Sequence, residues 1–127
     1  MNLTVLVVDD SKLARMAMAK ALSGMDPSWT RLEAANADEA VALLADHVVD
    51  IVLLDFNMPG RDGLALAAEI RQSTPRAQVA VISANHQAEI IAQTAAAGAT
   101  FLTKPLNVEA LKGFMDLAVA RLRTAST

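Results

Sequence analysis

Cysteine is absent from this 127-residue sequence, so disulfides and thiol chemistry play no part in it. That absence fits a reducing compartment, and a cytoplasmic location is expected. No apolar run approaches the roughly 20 residues that cross a bilayer, and Met1-Asn2-Leu3-Thr4 has no basic segment leading into an apolar one, so no membrane partner or signal peptide is expected. His47 and His86 each lack a second ligand at metal-binding spacing and are read as surface residues. The net charge of −3, with basic residues scattered, supplies no field to draw in nucleic acid. Repeats, linkers and low-complexity tracts are also missing. With 54% hydrophobic and 20% charged residues, the chain has the profile of one folded domain, and at this length it buries roughly two-thirds of its unfolded surface.

The stretch from Val49 to Gly63 organises what is present. Ile51 to Leu54 is an apolar run too short for a helix and rich in branched side chains, as in a strand buried on both faces. It ends on Asp55. Phe56-Asn57-Met58-Pro59-Gly60 then breaks regular structure, because Pro59 has no N–H and pushes Met58 out of the helical region. Around it the chain alternates. Leu3–Val8 reads as a strand ending in Asp9-Asp10, and Ser11 caps a helix over Lys12–Ser23 that Gly24 and Asp26-Pro27-Ser28 terminate. Trp29 is expected to cover the bottom of the core, and Met16, Met18 and Met25 to fill it. Thr30–Ala34 is a second strand. Asn36 and Glu39 form a capping-box pattern opening a helix whose buried face would comprise Ala40, Val41, Leu43 and Leu44.

Beyond the central loop, Leu64–Gln72 predicts a third helix, Gln78–Ile82 a fourth strand ending on Ser83, and Ala88–Ala97 a fourth helix closed by Gly98. Thr100–Thr103 predicts the fifth strand, ending on Lys104-Pro105. Asn107 then caps a last helix with an apolar stripe of Leu111, Phe114, Met115, Ala118 and Leu122, and a frayed tail is expected from Thr124. Five strands alternating with five helices predict an α/β fold: a parallel sheet with helices on both faces. One unit over residues 1–127, with its core over about 3–122, is expected.

In a parallel sheet all strand ends lie on one edge, so Asp9, Asp10, Asp55, Ser83 and Lys104 should gather in one crevice. Clustered carboxylates repel unless a cation sits among them, and a hard divalent ion such as Mg²⁺ relieves this with oxygen ligands. A metal, a lysine and a hydroxyl around one carboxylate suit phosphoryl transfer, where positioning and charge neutralisation dominate.

These residues taken together, Asp9-Asp10, the Asp55 loop with Met58-Pro59-Gly60 and Asp62-Gly63, Ser83-Ala84 and Lys104-Pro105, resemble the receiver domain of two-component response regulators, over about Leu3 to Leu122. The resemblance implies the flavodoxin-like strand order 2-1-3-4-5. It further implies that Asp55 accepts a phosphoryl group from a histidine on a sensor kinase or phosphotransfer protein. Asp10 and Asp55 would ligate Mg²⁺ directly, Asp9 through water, and Asn57 through its backbone carbonyl. Lys104 would pair with phosphoryl oxygens and Ser83 would hydrogen-bond to one of them. Phe101 occupies the position of an aromatic switch, and the Lys104-Pro105 bond is commonly cis in the family.

Two positions depart from the commonest pattern: Ser83 lacks the methyl of threonine, and Phe101 lacks the hydroxyl of a tyrosine switch. The primary expectation is a stand-alone receiver, not a turnover enzyme, that assists its own phosphorylation and dephosphorylation. It would signal through the surface of its fourth helix, fifth strand and fifth helix to a downstream protein or a second copy, without direct nucleic-acid contact. Ile90, Ala92, Ala95 and Ala96 cannot all face inward and would leave that surface apolar. The rivals are an unphosphorylated interaction module and an aspartyl-nucleophile phosphatase. Such a phosphatase places a carboxylate two residues after the nucleophile, where this chain has Asn57.

Overall fold

The computed structural model of the chain describes residues 2–58, 62–85 and 87–126. The expected break at Pro59-Gly60 and the surface position of His86 lie outside them. Strand β1 (Thr4–Val8) is followed by α1 (Lys12–Met25), β2 (Thr30–Ala34), α2 (Ala37–Asp46), β3 (Ile51–Asp55) and α3 (Gly63–Ser73). The chain continues through β4 (Gln78–Ser83), α4 (Ala88–Ala96), β5 (Thr100–Thr103) and α5 (Val108–Ser126). The strands pair in parallel in the order β2-β1-β3-β4-β5, as expected.

Every residue of β3 is buried, which suits the middle strand of a sheet covered on both sides. Side chains alternate along each strand and so divide between two packing layers. Val5, Val7, Ile51, Leu53, Ala80 and Ile82 meet Leu22 of α1 and the whole predicted stripe of α5, from Leu111 to Leu122. Leu6, Val8, Val52, Leu54, Val79 and Val81 meet Ala37 and Ala40 of α2 and Leu66, Ala67 and Ile70 of α3. Trp29 packs against the first of these layers.

The helix starts follow their capping chemistry. Ser11 Oγ accepts from the Ala14 N–H at 3.2 Å, Asn36 Oδ1 from Glu39 at 2.9 Å and Asn107 Oδ1 from Ala110 at 2.6 Å. Asp62 caps α3 in the same way through the Ala65 N–H. Gly98 closes α4 with φ +79°, a conformation that glycine adopts without steric cost.

Four expectations are corrected. Helix α1 runs through Gly24 to Met25, because an exposed glycine inside a helix costs only about 1 kcal/mol and the Asp26 N–H still donates to the Leu22 carbonyl. Val41 is exposed: Ala40, Leu44 and Ala37 form the face of α2 that packs inward, with Leu43 on one flank, and Val41 lies about 40° past Ala37 on the other, at the edge of that face. Met16 is exposed on the outer side of α1, whereas Met18 and Met25 pack inward. The tail expected from Thr124 is helical to Ser126, and the Thr124 hydroxyl donates to the Ala120 carbonyl at 3.0 Å.

Candidate functional site

The carboxyl ends of β1, β3 and β5 bring their polar residues to one rim of the sheet. Asp55, the last residue of β3, is only 5% exposed, and its Oδ1 lies 2.7 Å from Nζ of Lys104, which follows β5. Asp9 and Asp10 follow β1, and one carboxylate oxygen from each of Asp9, Asp10 and Asp55 lies within 4.8 Å of the others. Residues 49 positions apart thus form one ion pair, flanked by two more acidic groups. The set is hard oxygen throughout, which fits a cation such as Mg²⁺.

Asn57 is exposed beside it, and its N–H donates to Asp55 Oδ1 at 3.3 Å. Ser83 is fully buried at the end of β4, one residue past the Asp55↔Ile82 pairing. Its hydroxyl oxygen accepts from the Asn85 N–H at 3.0 Å, and its carbonyl accepts from the Lys104 N–H at 3.0 Å, tying the lysine to β4. Phe101 is half-buried on β5 opposite Val81; alternation along β4 therefore puts Phe101 and Ser83 on the same face of the sheet. The Lys104-Pro105 bond is cis.

Burial pushes the Asp9 carboxyl above its ordinary pKa. The Ser11 N–H, donating at 2.9 Å, opposes that shift; Asp55 and Asp10 add to it and Lys104 subtracts. From this rim a cavity of about 800 Å³ runs between α1 and α5, with Asp9, Asp10, Asp55 and Lys104 at its polar end and Ala17, Met18, Ala21 and Leu111 among its apolar walls.

Two further residues belong to the site without having been singled out in the sequence. Arg15 donates to the Asp9 carbonyl at 2.7 Å and pairs with Glu33 at 3.0 Å, a partner 18 residues away on β2. One acceptor is backbone and the other distant, so the sequence carries no local signal for either bond. Gly63, quoted only as part of a motif, lies so close to the β3 end that a Cβ there would sit 2.7 Å from the Asp55 carbonyl oxygen.

The family model for the response regulator receiver domain matches residues 5–116. The chain belongs to this family. Receivers are phosphoacceptors of two-component signalling and generally bind Mg²⁺ at an acidic pocket, the position that Asp9, Asp10 and Asp55 occupy here.

The transcriptional regulatory protein PdtaR of Mycobacterium tuberculosis is 36% identical to this receiver over 120 residues, 94% of this chain and 58% of that protein. The DNA-binding transcriptional regulator NtrC of Salmonella typhimurium is 32% identical over 117 residues, 91% of this chain and 24% of that protein. Receivers of this length therefore also occur as parts of longer proteins. Among solved structures, the chemotaxis protein CheY4 of Vibrio cholerae superposes with a TM-score of 0.83 at 26% identity, covering 93% of this chain and 99% of that one. The receiver of an HD-domain protein from Pseudomonas fluorescens Pf-5 shares the fold with a TM-score of 0.89 at 24% identity, over 98% of this chain and 99% of the other. Among the described residues, no helix is long and apolar enough to cross a membrane.

Proposed function

We propose that the chain acts as one receiver unit in which Asp55 accepts a phosphoryl group from a phosphohistidine of a sensor kinase or phosphotransfer protein. The observation that carries this reading is the 2.7 Å contact between Lys104 Nζ and Asp55 Oδ1 beside two further carboxylates. A carboxylate oxygen of Asp55 attacks phosphorus, the P–N bond breaks, and its electron pair returns to the imidazole nitrogen. Asp10, Asp55 and the Asn57 carbonyl would hold Mg²⁺ directly and Asp9 through water, and the ion would supply neutralisation of the charge on the phosphoryl group.

Lys104 holds Asp55 before transfer and pairs with a phosphoryl oxygen after it. Ser83 accepts from Asn85, so its own hydroxyl proton is available to a phosphoryl oxygen. Movement of Ser83 toward the phosphate would open space on the face it shares with Phe101, and inward rotation of Phe101 would carry the change to β5. The added charge of nearly −2 is enough to bias two packings that differ by a few kcal/mol.

The surface that changes is formed by α4, β5 and α5. On α4, Ile91 is 42% exposed, and Ala92, Ala95 and Ala96 face outward while Ile90 is half-buried; on α5, Leu117 is 48% exposed. This apolar character suits a downstream protein or a second copy of the domain, and output runs through protein contact. The same site assists hydrolysis of the phosphoaspartate, which returns the receiver to its resting packing.

Treatment with a small phosphodonor and Mg²⁺ should add one phosphoryl group by mass, and Asp55→Asn should abolish the addition. Labelling that survives in Asp55→Asn would remove Asp55 from the role. Steady turnover of phosphomonoesters would instead favour a phosphatase.

A further inference from the structure

Strand β1 leaves the sheet ladder at Val8, whose pairings with β2 and β3 are the last in register. Asp9 is consequently held by other means. Its N–H donates to the Ala34 carbonyl at 3.1 Å, its Oδ1 accepts from the Ser11 N–H at 2.9 Å, and its carbonyl accepts from Arg15 Nη1 at 2.7 Å. That carbonyl belongs to the peptide plane leading into Asp10, so its direction sets where the second carboxylate of the pair begins. Arg15 is itself braced, its Nε donating to Glu33 Oε1 at 3.0 Å, and its side chain is only 15% exposed.

We propose that Arg15 is the positioning residue of the acidic pair, orienting the Asp9–Asp10 peptide so that both carboxylates address one cation. The inference rests on the phosphoacceptor reading of the site, since it assigns the pair to Mg²⁺. A guanidinium suits the task because its planar fork makes two bonds at a fixed angle, one to the backbone and one to Glu33; a lysine ammonium on a flexible stem holds no such angle. Groups that orient metal-binding side chains typically change metal affinity about 10- to 100-fold when removed.

The test is calorimetric titration of Mg²⁺ into the full chain, with melting temperature and phosphodonor labelling measured on the same samples. Arg15→Ala should raise the Mg²⁺ Kd about tenfold. Labelling should slow in proportion at limiting Mg²⁺ and recover at saturating Mg²⁺, because the chemistry at Asp55 and Lys104 is untouched. Arg15→Lys and Glu33→Gln should each give a smaller loss of Mg²⁺ affinity, and they carry the test if Arg15→Ala does not fold. A merely structural role would lower the melting temperature while leaving Mg²⁺ binding alone. Mg²⁺ affinity within about twofold of wild type in Arg15→Ala, or in both milder variants if that one fails to fold, overturns the proposal. If wild type takes up neither Mg²⁺ nor a phosphoryl group, the phosphoacceptor reading falls instead.

Discussion

The negative charge of the Asp9 carboxylate is disfavoured in the folded chain. Burial is the main cause, with Asp10 and Asp55 as neighbours of like sign, and Lys104 and the Ser11 N–H only partly offset it. A carboxyl whose folded pKa lies above its ordinary 3.8 binds its proton more tightly in the folded chain. Without a cation, the stability contribution of Asp9 is therefore most favourable at low pH and declines as pH rises from 3.8 through the higher folded value. Asp9→Asn should remove that decline and stabilise the cation-free protein, while weakening Mg²⁺ binding; unfolding midpoints from about pH 3 to 7 and a Mg²⁺ titration check both halves. Gly63 makes a different kind of demand. Its missing Cβ is what lets α3 start against the Asp55–Phe56 backbone, where a methyl would meet Asp55 O at 2.7 Å and Phe56 Cα at 2.9 Å. Gly63→Ala should cost about 1–3 kcal/mol by chemical denaturation and slow Asp55 labelling, because the backbone that must shift carries Asp55, the proposed phosphoacceptor.

Among the elements, α2 shows how far local chemistry goes. The Asn36 side chain accepts from the Glu39 N–H and the Glu39 carboxylate accepts from the Ala35 N–H, each at 2.9 Å, so the start of this helix is specified within five residues. Asn36→Ala should lower stability by about 1 kcal/mol and leave Mg²⁺ affinity unchanged, as measured by urea unfolding beside a Mg²⁺ titration. The same helix shows where local chemistry stops. Val41 has every apolar credential for the core, yet Ala37 and Ala40 make the close contact with the sheet and Val41 is turned toward solvent. Helix periodicity allows several neighbouring stripes, and only the surface of β2 and β1 selects among them. Met16 is exposed and Met18 packed for the same reason on α1.

Across the whole molecule, the sheet separates two apolar layers that share the same strands. Phe114, 6% exposed on α5, belongs to the layer containing Leu53 and Ile82, whose strands lead directly to Asp55 and Ser83. Phe114→Ala should cost about 3–5 kcal/mol. The loss should appear as an earlier denaturant midpoint with an unchanged slope, since both layers unfold with the sheet they share.

Strand and helix order, the caps at Ser11, Asn36 and Asn107, and the residues at the strand ends were all legible from residue type and spacing, because alternation, capping and chain breaks are short-range properties. The acidic pair, Asp55 and Lys104 could be nominated in the same way, since parallel strands must bring their carboxyl ends to a common edge. Packing alone settled the 2.7 Å ion pair, the turning outward of Val41 and Met16, the close approach of Gly63 to β3 and the brace from Arg15 to the Asp9 carbonyl. Each of those depends on atoms far apart in the chain or on backbone groups that every residue carries, and neither leaves a mark in the order of side chains.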